Sequence, residues 1–184
     1  MHYVRAYPGA VDDALIADLI ALPGAVKIDQ DEGYRRCSGK PVVGDAFERF
    51  RGVVRECFVD YCKMAPVNLR TCTRFETPNV LRYEPSTDSP EHYSEHSDAA
   101  GVTTATRQVS VIAYLNEVAQ GGETVFTLFD HAQRCEKGTV LLFPSSWLYH
   151  HLARAPESGP KIVVVTWIHF ANGGVPVLPT TPLG

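Results

Sequence analysis

The chain has 184 residues, 45% hydrophobic and 21% charged, which suits one domain with a substantial core and is too short for two large ones. A net charge of -4 does not describe a nucleic-acid-binding surface. There is no apolar run of about eighteen residues and no basic-then-apolar layout in MHYVRAYPGAVDD, so the expectation is a soluble cytoplasmic protein, with no membrane partner and no secretion.

Residues 11–22 (VDDALIADLIAL) place apolar groups at helical spacing behind an Asp-rich start, and Pro23-Gly24 stops the run; the pattern predicts a helix. DQDEGYRRCSGK follows as an exposed loop or a short hairpin, in which Arg35, Arg36 and Lys40 read as solvated charges, although such loops also serve as lids. Residues 45–64 repeat the helical stripe from an Asp45 cap to the approach of Pro66. From about residue 67 the grammar is that of strands. RTCTRFE, NVLRYEP, RQVSVIAYLNE, ETVFTLF, GTVLLFP and KIVVVTWIHF are β-branched and aromatic, parted by Gly, Pro, Ser or Asp clusters. Helices followed by a meander of short strands read as α+β with a β-barrel or jelly roll. The expected single domain has helical support over 1–66, a barrel over 67–170 and a Pro/Gly-rich tail over 171–184 lying extended on the surface. Five cysteines (Cys37, Cys57, Cys62, Cys72, Cys135) at irregular spacing without a CxxC pair argue against a disulfide framework and a zinc ribbon.

The residues that carry chemistry lie among these strands. On an extended chain His96 and Asp98 project to one face, so one imidazole and one carboxylate can grip one metal. A second imidazole from a distant strand would complete a two-histidine, one-carboxylate triad, which leaves adjacent coordination positions open and suits non-haem iron(II), though manganese, cobalt and nickel accept the same ligands. His150 and His151 are both candidates, because adjacent residues face opposite sides of a strand and only one can meet the metal. Lys161 opens the apolar run KIVVVTWIHF, where a buried ammonium is costly without an anionic partner. A rival reading lies in the same segment: His92-Tyr93-Ser94-Glu95-His96 spells H-x-x-E-H, a zinc-protease motif that requires a helix, in a setting of turns.

From about Asn79 to Phe170 the chain resembles the 2-oxoglutarate and iron(II)-dependent dioxygenases, and within them the prolyl 4-hydroxylase-like group. The resemblance rests on motifs in order: LRYEP, HYSEHSD, RQVSVIAYLN, GGETVF, a glycine-led LLFP strand, His151, and Lys161 leading into TWIH. It implies a double-stranded β-helix, a cupin-like barrel, with His96, Asp98 and His151 as the iron ligands. The lysine that takes the far carboxylate of 2-oxoglutarate follows the distal histidine by ten residues in this group, which selects His151 over His150 and assigns Lys161. Tyr114 corresponds to a phenol on the same carboxylate, and Tyr83 and Thr124 to positions lining the cosubstrate pocket; as plain strand residues, both tyrosines would instead pack the core. Arg107, Trp167 and His169 match positions that contact a proline-rich peptide. The implied reaction is hydroxylation coupled to conversion of 2-oxoglutarate and dioxygen to succinate and carbon dioxide, with ascorbate as a candidate accessory. Asp98 fills the position that halogenating relatives leave open. The expected partner is a proline-containing protein or peptide. The same chemistry on a free amino acid or other small molecule, and a non-catalytic jelly-roll module holding zinc, are the alternatives. EPSTDSPEHY carries extra residues between the RYEP segment and the first ligand, at the substrate entrance.

Overall fold

Asp12 accepts a hydrogen bond from the Leu15 amide at 2.7 Å and starts helix α1 (Asp13–Ala21), which buries Leu15, Ile16 and Leu19. Helix α2 (Gly44–Met64) buries Ala46, Phe50, Val54, Cys57 and Tyr61, a stripe at spacings of three and four. Its N-cap is Val43 without a side-chain hydrogen bond, so Asp45 is not the cap; it sits in the first turn, where its charge meets the positive end of the helix dipole. These elements come from a computed structural model that describes residues 3–170 apart from 31–33, 67, 73 and 86–87. The expectation of an extended surface tail over 171–184 falls outside the described residues.

Among the described residues twelve strands form one antiparallel sheet: β1 (Arg5–Tyr7), β2 (Val26–Gln30), β3 (Arg35–Pro41), β4 (Arg74–Phe75), β5 (Asn79–Tyr83), β6 (Tyr93–His96), β7 (Arg107–Tyr114), β8 (Thr124–Phe126), β9 (His131–Gln133), β10 (Val140–Pro144), β11 (His151–Ala153) and β12 (Lys161–His169). The order is β1-β10-β7-β12-β5-β3-β6-β11-β8-β9, with β2 hairpinned onto β3 and β4 on the end of β12. The sheet curls until its two ends face each other. Phe126 of β8 meets Phe143 of β10 edge-on at 4.9 Å, and Phe143 meets His151 of β11 at the same separation. This is a jelly roll.

Strand alternation divides the interior in two. Val109, Val111 and Ala113 of β7, Val140 and Leu142 of β10, and Ile162, Val164 and Ile168 of β12 pack with the buried stripes of α1 and α2. Their sequence neighbours Tyr114, Leu141, Phe143 and Val163 face the barrel interior. Both faces of these strands are buried, which is why they read as nearly unbroken apolar runs. A register slip of one residue would carry Lys161 into the helix-side core.

The N-terminal third departs from its expected helical character. It supplies three strands as well as two helices; within the region read as a loop or short hairpin, β2 pairs antiparallel with β3, and β3 lies inside the sheet between β5 and β6. Arg35 is therefore not a solvated loop charge but a half-buried strand residue. Arg36 pairs with Asp29 at the surface, and Lys40 donates to the Ile20 and Leu22 carbonyls, closing the C-terminal end of α1.

The Gly121-Gly122 turn leads into β8. Both glycines have positive φ, 73° and 76°, and a Cβ on Gly121 would overlap the Ala155 carbonyl. Gly121→Ala is expected to lower stability by about 2 kcal/mol in urea denaturation; an unchanged midpoint would show that the turn relaxes freely.

Candidate active site

Cross-strand pairing builds the candidate metal site. His151 opens β11 directly opposite His96 at the end of β6, and their rings lie 4.3 Å apart between centroids. Asp98 follows in the turn after β6, where the Ala99 amide donates to the Ser145 carbonyl at 3.0 Å. Each imidazole is oriented by its own backbone. His96 Nδ1 lies 2.8 Å from the Ser94 carbonyl and His151 Nδ1 2.9 Å from that of Tyr149, so each ring donates at Nδ1 and turns Nε2 toward the site. The two Nε2 atoms point at the Asp98 carboxylate, 3.6 Å and 3.9 Å from its oxygens. All three residues are buried, and their ligand atoms lie within 4.8 Å of one another, a group that can hold a metal ion.

The charge states suit that task. Burial pushes the Asp98 carboxyl up, but the facing imidazoles of His96 and His151 and the Ser110 hydroxyl together hold it well below the usual carboxylate range. Ser110 Oγ donates to Asp98 at 2.5 Å and is held in turn by Ser145 at 2.8 Å. For His151, burial pushes the imidazole down to about 4 against the opposing pull of Asp98, leaving it neutral near pH 7. One anionic carboxylate and neutral imidazole are the states that bind a divalent metal.

The triad opens into a cavity of about 300 Å³. At its other wall stands Lys161, 2% exposed and lined up with Val163, Val165 and Trp167 on the inward face of β12. Burial lowers the pKa of its ammonium. Among the described residues no carboxylate pairs with it; the Tyr83 and Tyr114 rings flank it at 5.7 Å and 5.9 Å. Tyr83 and Thr124 line the cavity. Tyr114 stands behind that wall, fully buried, with its hydroxyl donating to Thr124 Oγ1 at 2.8 Å.

Of the residues matched to peptide contacts, Arg107 and Trp167 line the cavity and His169 does not. The Arg107 guanidinium lies 3.5 Å over the Trp167 ring and forks onto Glu76 at 2.6 Å and 3.0 Å. A bulge between Ile168 and His169 turns the histidine off the inward face. Buried, it bridges Glu76 at 2.8 Å and Thr106 at 2.9 Å. His150 turns outward to Glu95 at 3.2 Å. The H-x-x-E-H segment is strand β6 rather than a helix, so the zinc-protease reading fails.

Glu76, Ser110, Tyr93 and Arg35 were not singled out by sequence for the site. Tyr93 stacks on His96 with centroids 3.6 Å apart and rings 18° from parallel. Glu76 holds both Arg107 and His169, and although burial opposes it, these partners keep its carboxyl below its ordinary 4.5. A depressed folded-state pKa adds stability above pH 4.5 that is lost as pH falls below it. Glu76→Gln is expected to cost about 2 kcal/mol near neutral pH and to flatten that acid limb, read by urea denaturation across pH; an equally steep limb in the variant would assign it to other carboxyls.

A jelly roll with a two-histidine, one-carboxylate cluster beside a buried lysine defines a class of metal-dependent oxygenases by its donor set. The chain belongs to the 2OG-Fe(II) oxygenase superfamily, whose family profile matches residues 78–169, half of its length. No curated protein matches the chain in sequence. Among solved structures it is similar to a viral collagen prolyl hydroxylase from Paramecium Bursaria Chlorella virus-1 in complex with 2OG, at 20% identity and a TM-score of 0.70, covering 92% of this chain and 96% of that one. A Pseudomonas putida prolyl-4-hydroxylase matches at 17% identity and 0.70, covering 93% and 94%. A prolyl hydroxylase from Trichoplax adhaerens, in complex with a hypoxia inducible factor oxygen degradation domain peptide fragment, matches at 14% and 0.70, covering 92% and 84%. At these identities the similarity establishes the fold. No helix among the described residues is long and apolar enough to cross a membrane.

Proposed function

We propose that the protein is an iron(II)- and 2-oxoglutarate-dependent hydroxylase acting on a prolyl residue of a protein or peptide. His96, Asp98 and His151 would hold the iron, and Lys161 would take the far carboxylate of 2-oxoglutarate, with Tyr83, Thr124 and Tyr114 around it. When bound, the metal and cosubstrate supply oxidation of a C–H bond by dioxygen, coupled to decarboxylation of 2-oxoglutarate to succinate. The chain's own part is to fix three ligands on rigid strands, to neutralise a buried dianion and to keep water from the reacting atoms.

The observation that carries this reading is Lys161. A fully buried ammonium without a carboxylate partner is a standing cost, and it shares a cavity of about 300 Å³ with the three metal-binding side chains. A dicarboxylate with a chelating 2-keto acid at one end meets both demands at once. The prolyl assignment draws on the similar prolyl hydroxylases and on Arg107 and Trp167, stacked at the cavity wall where a flat ring can pack.

The test is an anaerobic titration of metal-free protein with iron(II) and then 2-oxoglutarate, followed by visible absorption. A metal-to-ligand charge-transfer band is expected at one equivalent of each. Well-folded protein that gives no band would end the oxygenase reading and send attention to zinc. With the band in hand, proline-containing peptides are expected to stimulate succinate formation.

A further inference from the structure

Two arginines line the cavity, and their charges are in different states. Arg107 is satisfied by the forked pair with Glu76. Arg35, entering from β3, is not. Its guanidinium lies 4.7 Å over the Tyr93 ring, and its contacts with the Tyr83 phenol and the Cys37 thiol, both pushed up by burial, are with neutral groups. Its Nε is buried with no hydrogen-bond partner, and no carboxylate among the described residues pairs with it. Such an atom is costly to leave unmet.

The position of this free charge matters. Arg35 stacks on Tyr93, which stacks on His96, and it touches the phenol of Tyr83, whose ring also flanks Lys161, so the guanidinium adjoins residues beside the metal ligands as well as beside the lysine. Among the described residues the cavity therefore presents two cations with no carboxylate within ion-pair distance, one more than a single far carboxylate of 2-oxoglutarate neutralises. At about 300 Å³ it is also at the small end of ligand pockets, better matched to a chain end than to a polypeptide passing through.

We infer that Arg35 recognises a carboxylate of the substrate, so that the protein prefers a proline whose carboxyl group is free, at the end of a peptide or as the amino acid, over one in amide linkage. The inference rests on the functional reading above. The planar guanidinium fork suits a carboxylate.

The test uses the anaerobic iron(II)- and 2-oxoglutarate-loaded protein, titrated with N-acetyl-L-proline, N-acetyl-L-prolinamide and L-proline by calorimetry and by the fluorescence of Trp167 at the cavity wall. An acid is expected to bind at least about tenfold tighter than the amide, the gain of one charge-assisted fork. The ranking of N-acetyl-L-proline against L-proline separates a peptide end from a free amino acid. Arg35→Gln is expected to remove the acid preference and Arg35→Lys to restore part of it, with thermal melting to verify that each variant folds. Equal binding of acid and amide, no binding of any of the three, or a preference that survives Arg35→Gln would overturn the inference. So would a loss in Arg35→Gln that falls on 2-oxoglutarate affinity instead. Absence of the charge-transfer band indicts the oxygenase reading separately, and the acid-against-amide comparison can still be made on the metal-loaded protein alone.

Discussion

Asp98→Ala is expected to lower iron(II) affinity by more than about a hundredfold and to abolish the charge-transfer band and succinate formation. Changes to groups that merely support a ligand commonly cost about ten- to a hundredfold, and here the ligand itself is removed. Asp98 is also the one anion of the three, held ionised by His96, His151 and Ser110 against its burial. Without it only imidazoles remain, which carry no negative charge to offset the divalent charge in a buried site. Asp98→Asn separates the two contributions, because it keeps the shape and one oxygen but loses the charge. Isothermal titration with iron(II) or manganese(II) under anaerobic conditions measures both variants. Parent-like metal affinity in Asp98→Ala would mean that metal binds somewhere other than this cluster. Near-parent affinity in Asp98→Asn would mean that geometry rather than charge dominates.

What the sequence disclosed follows from how each element is buried. β7, β10 and β12 are covered on both faces and announce themselves as apolar runs, so Lys161 stands out within one of them. His96 and Asp98 were legible because their spacing alone places both at one point. β6 and β11 are short and β3 is polar, since one side lines a cavity that needs polar groups, and a pattern-based reading has little to grasp there. For that reason Arg35 reads as a loop charge and Tyr93 as an ordinary aromatic. Ser110 is invisible for another reason: only its approach to Asp98 across the fold distinguishes it from any serine in a strand. His169 shows the limit of strict alternation, because the bulge after Ile168 moves it from the face that period two assigns to it. His151 pairs with His96 and so lies beside Asp98, whereas His150 turns to the surface against Glu95.

Lys161→Met is expected to move binding and stability in opposite directions. Affinity for 2-oxoglutarate should fall by about a hundredfold or more, as a buried carboxylate loses the cation that faces it, while the cosubstrate-free protein should gain about 1 to 2 kcal/mol, because a flexible apolar chain of similar length replaces an unpaired ammonium. The pH dependence has a definite sign. Burial depresses the pKa of Lys161 in the folded state, so in that window the unfolded chain binds more protons and the stability of the cosubstrate-free parent rises with pH. The Met variant lacks this contribution and should show a flatter alkaline profile. Saturating 2-oxoglutarate should stabilise the parent in proportion to the logarithm of its concentration and leave the variant unmoved. Thermal melts across pH, with and without 2-oxoglutarate, read all of these at once. A variant that is less stable than the parent yet binds 2-oxoglutarate normally would make Lys161 a structural group satisfied by its two flanking tyrosine rings, and the cosubstrate's far carboxylate would then need another cation in the same cavity, for which Arg35 is the one left unpaired.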